Sequence, residues 1–99
     1  MILVRNIFQL KFGKAKEARL LMKENEVLYK KYAVPSTVRY LTDVTGDYYT
    51  LVMETTHESL AAFEQASSQA MGAKEFGEWY QKFIPLVESG RREIFTIVS

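Results

Sequence analysis

Apolar side chains recur at every second position at the start of the chain. From residue 2 to residue 12 every even position except Asn6 is apolar, whereas the odd positions mix apolar, polar and charged residues. A period of two is typical of a β-strand with one buried face. Gly13 interrupts the pattern, so we predict a first strand over 2–12. Its inner face would carry Ile2, Val4, Asn6, Phe8, Leu10 and Phe12.

The next segment changes to a helical period. Apolar residues between 14 and 32 recur three and four positions apart, with lysine and glutamate between them, which indicates an amphipathic helix. Val34 precedes Pro35, and a residue before proline is disfavoured in the helical conformation. We therefore predict that the helix stops at Val34-Pro35 and that Ser36 begins the next extended segment.

The middle of the chain predicts a β-hairpin. Two segments rich in β-branched and aromatic residues, 38–45 and 48–55, flank the dipeptide Gly46-Asp47. A leading glycine suits a two-residue type II′ turn, and such a turn fixes which residues face each other. The predicted pairs are Arg39–Glu54, Leu41–Val52 and Asp43–Thr50 on one face, and Tyr40–Met53, Thr42–Leu51 and Val44–Tyr49 on the other.

A second helix is predicted after the hairpin. Thr55 or Thr56 can cap its first turn, and Thr55 and Glu58 have the spacing of a capping box. We expect Gly72 to interrupt this helix. Its apolar residues at helical spacing are Leu60, Phe63, Ala66 and Ala70.

The last third of the chain predicts a further helix and a strand. The helix ends at Pro85, which cannot continue the hydrogen-bond ladder, and Gly90 marks a turn into a final strand over 92–98. Aromatic residues at helical spacing are core residues more often than the wall of a binding site. Those of this helix are Phe76, Trp79, Tyr80 and Phe83.

The resulting order, βαββααβ, is that of the ferredoxin-like split βαβ-βαβ fold. We therefore predict one α+β domain over 1–99, with an antiparallel sheet and helices on one of its faces. The other face is uncovered and mixes apolar with charged side chains, which suits a contact with a second copy of the chain. The sequence thus predicts a homodimer. The predicted dimer face contains Arg5, Arg39, Leu41, Asp43, Val52 and Glu54, together with Leu3 and Ile7.

Composition lowers the rank of several classes of partner. The chain has 13 basic and 12 acidic residues and a net charge of +1, so it lacks the basic surface that nucleic-acid binding needs. No segment has the apolar length of a membrane span, and we expect a cytoplasmic protein. Cysteine is absent, histidine occurs once, and the carboxylates have no ligand-loop spacing, so we expect no metal site.

Several segments together resemble the NIPSNAP group of dimeric α+β barrel proteins, over nearly the whole chain. They are Lys11-Phe12-Gly13-Lys14, Leu51-Val52-Met53-Glu54 with Ser59-Leu60, Glu78-Trp79 to Phe83-Ile84-Pro85-Leu86, and Arg92-Glu93-Ile94-Phe95. These motifs are strand ends, a helix aromatic and a final strand, so the resemblance implies a fold and a dimer more than a chemistry. The superfamily includes proteins without known function, cofactor-independent oxygenases and haem-degrading monooxygenases.

Asn6 is the polar residue on the inner face of the first strand. A buried amide needs hydrogen-bond partners, which protein groups or a ligand can supply, and both alternatives stay open here. By resemblance, Asn6 corresponds to the asparagine that the haem-degrading monooxygenases use beside a tryptophan and a histidine. Phe63 stands in place of that tryptophan, and the region near Ala73 has no histidine, so we expect no haem. We expect His57 to be a solvated residue in the first turn of the second helix, although it is the one side chain that ordinarily titrates near neutral pH.

The best candidate for a ligand site is an apolar pocket with a few polar groups, between the sheet and the helices. We predict that the protein binds a small apolar molecule there, or a protein partner, without a cofactor. The alternative, which the resemblance implies, is a cofactor-independent monooxygenase in which Asn6, Trp79 and Tyr40 hold an aromatic or quinol substrate. The predicted pocket residues are Asn6, Tyr40, Met53, Phe63, Trp79 and Tyr80.

Overall fold

The computed structural model describes residues 1–32 and 37–99, so the predicted helix stop at Val34-Pro35 and the extended start at Ser36 lie outside the described residues. The strands are β1 (Ile2–Leu10), β2 (Thr37–Thr42), β3 (Thr50–His57) and β4 (Val87–Thr96). The helices are α1 (Ala15–Lys31), α2 (Leu60–Gly72) and α3 (Lys74–Phe83), with a 3-10 turn over Ile84–Leu86. The sheet order is β2-β3-β1-β4, and the paired strands are antiparallel. The predicted ferredoxin-like α+β fold is confirmed.

The alternation in β1 places a mostly apolar face against the helices. Val4 is 0% exposed and Leu10 is 3% exposed, as expected for the inner face of a central strand. The predicted end of the strand at Phe12 is wrong, because the chain turns at Gly13, whose φ is +82°. Phe12 therefore projects from the connection to α1 and is 78% exposed.

The hydrophobic core lies between the inner face of the sheet and helices α1 and α3. Its buried residues are Leu10, Ala18, Leu21, Met22, Leu51, Phe83 and Leu86. Trp79 packs at its edge, where the indole nitrogen donates a hydrogen bond to the Leu21 carbonyl oxygen at 2.6 Å. Its ring stacks on Phe83 with the centroids 5.1 Å apart. The aromatic residues of α3 thus contribute to the core.

The predicted pairing of β2 with β3 is confirmed from Thr42–Leu51 to Arg39–Glu54. Asp43 and Thr50 also face each other, since the Asp43 amide donates to the Thr50 carbonyl oxygen at 3.3 Å. The Thr50 amide, however, donates to the Asp43 side chain at 2.9 Å rather than to its backbone. The Asp43 carboxylate therefore takes over a bond that a continuing strand would make, and the ladder stops.

The predicted two-residue turn at Gly46-Asp47 is wrong, because β2 already ends at Thr42 and β3 begins only at Thr50. Tyr49 has a φ of +60°, which no strand residue adopts, and its carbonyl oxygen accepts the Leu10 amide of β1 at 2.9 Å. Val44 is 97% exposed, so the predicted pair Val44–Tyr49 does not form. Residues 43–49 form a loop instead, which shortens both predicted strands.

The cap of α2 lies further along the chain than predicted. The Ser59 hydroxyl accepts the Ala62 amide at 3.1 Å, which is the bond that an N-cap residue makes. The predicted caps Thr55 and Thr56 are wrong because β3 continues to His57, and Thr55 pairs with Val4 of β1. The helix ends at Gly72, in agreement with the prediction.

Strand β4 begins at Val87, so the predicted turn at Gly90 and the predicted strand over 92–98 are wrong in their bounds. Gly90 faces Phe8 within the ladder. A Cβ atom at Gly90 would lie 3.2 Å from Cδ1 of Phe8, closer than most Cβ contacts, so glycine leaves room for that ring. The glycine thus serves packing within the strand.

Candidate functional site

Buried polar side chains gather between the sheet and the helices. The buried polar or charged residues of the described ranges are Asn6, Asn25, Glu54, Thr55 and His57. Thr55 and His57 lie on the same face of β3 as the core residue Leu51, and Asn25 lies on the buried face of α1. All of them except Glu54 therefore occupy the inner layer, which is a large polar content for so small a core.

Three strands contribute one row of the inner face, in which Asn6 of β1 lies beside Met53 of β3, and Met53 lies beside Tyr40 of β2. The Tyr40 hydroxyl donates to the Asn25 side-chain oxygen at 2.6 Å, which joins this row to α1. Burial raises the pKa of Tyr40 well above its usual range, and it also raises the pKa of Tyr29 on α1. Both phenols are therefore protonated hydrogen-bond donors at neutral pH.

Arg92 extends the row onto β4, where it pairs with Asn6. Its Nε donates to the Asn6 side-chain oxygen at 2.8 Å, and its Cζ lies 5.2 Å from the centroid of the Phe63 ring on α2. Its positive charge lowers the pKa of Tyr29, against the larger effect of burial. The sequence reasoning missed Arg92. Adjacent strand residues point to opposite faces, so one of Arg91 and Arg92 had to face inward.

His57 is not the solvated helix residue that the sequence predicted. It ends β3, is 4% exposed, and has its Nε2 3.0 Å from the Thr55 hydroxyl. Its ring centroid is 5.2 Å from that of Phe63. Within the described residues, its buried Nδ1 has no hydrogen-bond partner. Burial lowers the pKa of His57, so it is neutral at pH 7.

The other predicted pocket residues lie apart from this group. Tyr80 is on the surface of α3 and is 55% exposed. Trp79 contacts Leu21 and Phe83 at the edge of the core. Of the predicted set, Asn6, Tyr40 and Met53 form the row described here, and Phe63 approaches it through Arg92.

The uncovered face of the sheet carries a charged row that crosses all four strands. In spatial order it consists of Arg39, Glu54, Arg5 and Glu93. The Glu54 side chain is 8% exposed and lies 3.0 Å from Nε of Arg5, whose N–H is not directed at the carboxylate oxygen. Arg39 donates to Glu54 from Nε at 3.0 Å and from Nη2, and Arg5 lies 3.5 Å from Glu93.

An apolar row follows the charged row and, together with Arg5, lines a shallow cavity. Leu41, Val52 and Ile7 lie side by side on β2, β3 and β1. The cavity has a volume of about 540 Å³ and extends to Asp43 at the end of β2. The structure thus brings the predicted dimer-face residues together on one surface.

The described residues form neither a cluster of metal ligands nor a membrane-spanning helix. Within residues 1–32 and 37–99, no three His, Asp or Glu side chains are grouped closely enough to hold a metal ion. Over the same ranges no helix has both the length and the apolar character to cross a bilayer.

Comparison with solved structures gives strong matches at low sequence identity. An uncharacterised NIPSNAP domain protein from Burkholderia xenovorans has a TM-score of 0.88 at 12% identity, over 100% of this chain and 96% of that chain. A NIPSNAP family protein from Agrobacterium tumefaciens has a TM-score of 0.86 at 16% identity, over 96% of this chain and 90% of its own. The chain has the NIPSNAP fold.

The NIPSNAP fold is also close to that of an oxygenase. SnoaB, a cofactor-independent oxygenase from Streptomyces nogalater, has a TM-score of 0.74 at 15% identity, over 99% of this chain and 93% of that chain. No protein-family model and no curated protein matches the sequence itself. These likenesses therefore confirm the resemblance at the level of fold. Proteins of this fold are typically dimeric α+β barrels.

Proposed function

We propose that this protein is a homodimer that binds a small apolar molecule between the sheet and helices α1 and α2. The observation that carries the proposal is the concentration of buried polar side chains among aromatic rings on the inner face of the sheet. Polar groups in a core of this size lower its stability unless each is satisfied, so their number needs a reason. A ligand site with an apolar wall and a few polar groups is such a reason.

The individual contacts support this proposal. Phe63 and Met53 offer apolar surface, while Asn6 and Tyr40 offer polar atoms in the same row. The buried Nδ1 of His57, beside Phe63, has no partner among the described residues, and a ligand or a water molecule would complete it.

The proposed dimer uses the uncovered face of the sheet. Leu41, Val52 and Ile7 would lie against the second copy, and the charged row would fix the relative orientation of the two sheets. The dimeric habit of the fold supports this arrangement. We also place the protein in the cytoplasm, which microscopy of a fluorescently tagged protein would check.

Binding can be tested with the neutral probe 2-naphthamide, followed by ¹H–¹⁵N NMR. We expect shift changes at amides of the inner row, including Asn6 and Met53, and none at Leu41. Phe63→Ser should abolish binding, whereas Tyr80→Ser, which removes an exposed ring from α3, should preserve it. Binding that survives Phe63→Ser, or shift changes confined to the uncovered face, would refute the proposed site.

The second candidate function is a cofactor-independent monooxygenase, which the shared fold with SnoaB favours. Such an enzyme would convert anthrone and O₂ to anthraquinone and water without metal or flavin. Oxygen uptake by the purified protein with anthrone is the measurement that decides. If catalysed uptake is absent while the naphthalene probe binds, the protein acts as a binding protein toward such molecules.

A further inference from the structure

The charge of Arg92 has no counter-charge in the structure. Arg5, Arg39 and Arg91 each lie within 4.0 Å of a carboxylate oxygen. Arg92 has no such carboxylate among the described residues, which include every aspartate and glutamate of the chain. Among the described residues, Arg19 on the surface of α1 likewise has no carboxylate oxygen within 4.0 Å. Its Nη2 donates instead to the Thr42 hydroxyl at 3.2 Å. Arg92 differs in its position: it lies beside Asn6 on the side of the sheet that faces the helices, with its side chain exposed to water.

Two contacts orient the guanidinium of Arg92. Its Nε bonds the Asn6 oxygen at 2.8 Å, and its plane is near the face of Phe63, where a cation is attracted to the ring. The two terminal nitrogens carry the remaining donors of the fork, whose geometry matches a carboxylate. Because the Asn6 oxygen already accepts from Arg92, the amide group of Asn6 also presents donors. The pair therefore offers hydrogen-bond donors and a positive charge.

We propose that the ligand of this site is an oxyanion attached to an apolar, planar body. Its carboxylate or ionised phenol binds the terminal nitrogens of Arg92, and its body lies against Phe63. This inference rests on the proposed function, which requires only that an apolar molecule bind. Arg92 thus determines the charge of the ligand, while Phe63 and Met53 determine its apolar shape.

Two probes of equal size test the charge, namely 2-naphthoate and its neutral amide, 2-naphthamide. We expect the wild-type protein to bind the carboxylate about tenfold or more tightly by calorimetry, as for a charge-assisted pair. Arg92→Gln should remove this preference, so that the two probes bind with equal affinity. Arg92→Lys, which keeps the charge but not the fork, should retain part of the preference. Arg19→Gln is the matched control and should retain all of it.

The outcomes separate this inference from the proposed function. Equal affinity for the two probes in the wild-type protein would overturn the oxyanion inference and leave the apolar site intact. A preference for the carboxylate that persists in Arg92→Gln would overturn the assignment to Arg92. If neither probe binds at millimolar concentration, the proposed function fails, and the inference fails with it. A thermal melt of each variant confirms that it is folded before affinities are compared.

Discussion

Removing the charge of Glu54 should destabilise the protein more than removing any other charge of the charged row. Glu54 lies between Arg5 and Arg39 and is 8% exposed in its side chain. Glu54→Gln keeps the shape of the side chain but leaves two arginines with like charge on either side of a buried, neutral amide. The arrangement changes from attraction on both sides to repulsion across the site.

The size of the effect follows from the exposure of the partners. Breaking a fully buried ion pair costs about 3–5 kcal/mol, whereas an exposed pair contributes about 0–1 kcal/mol. The side chains of Arg5 and Arg39 are 34% and 70% exposed in the single chain, and the second copy of the proposed dimer would cover part of this face, so water can solvate both only in part once Glu54 is neutral. We therefore expect Glu54→Gln to lower the free energy of unfolding by about 2 kcal/mol, between these limits. Combining it with Arg39→Gln removes the repulsion and should recover about 1 kcal/mol of this loss.

Urea denaturation at one fixed protein concentration is the appropriate assay, because the stability of a dimer depends on concentration. The control is Glu93→Gln, which removes the same charge from a side chain that is 35% exposed at the end of the row. It should cost less than about 1 kcal/mol. If Glu54→Gln costs no more than the control, or if the double variant shows no coupling, the central role of Glu54 is refuted. The dimer itself is tested by light scattering of the wild-type protein, and a monomer at micromolar concentration would contradict the predicted assembly.

Three other variants test single features. Asn6→Leu removes the acceptor of Arg92 Nε, but water can replace it because Arg92 is exposed. Thermal melts should therefore show a loss of unfolding free energy of no more than about 1 kcal/mol. A drop of many degrees in the melting temperature would make Asn6 structural. Burial holds the pKa of His57 below its usual value near 6.5, so the unfolded chain binds the proton more readily, and stability should fall as the pH decreases through 6.5. His57→Gln should reduce this fall between pH 7.5 and 5, and an unchanged pH profile would contradict the reasoning. Ser59→Ala should lower the free energy of unfolding by about 1 kcal/mol through loss of the α2 cap, whereas Ser68→Ala, on an exposed position inside the same helix, should change it little.

Local pattern was sufficient to predict the elements and the pairing of the hairpin, but not the turn that joins its strands. The pairing of Arg39 with Glu54 follows from which faces are apolar, and a loop of any conformation between them can preserve it. The bond from the Asp43 side chain to Thr50 that ends the ladder depends on a side chain competing with the backbone, which composition does not reveal.

The candidate site was predicted only in part, because its residues meet through long-range contacts. Asn6 was visible as an exception in an apolar alternation. Arg92 was not, because its direction depends on where β4 begins, and that start follows a 3-10 turn after α3. His57 was assigned to the helix because the threonines before it resemble caps, whereas pairing with β1 keeps them in the strand.

The close contact between Gly90 and Phe8 has a consequence for the alignment of β4. If β4 slipped by one residue along β1, a side chain other than hydrogen would face the Phe8 ring, and its Cβ would crowd the ring unless the ring moved. The same slip would replace Arg92 beside Asn6 with Arg91 in one direction or with Glu93, a negative charge, in the other. The glycine therefore favours the alignment that places Arg92 on the inner face, from two residues away.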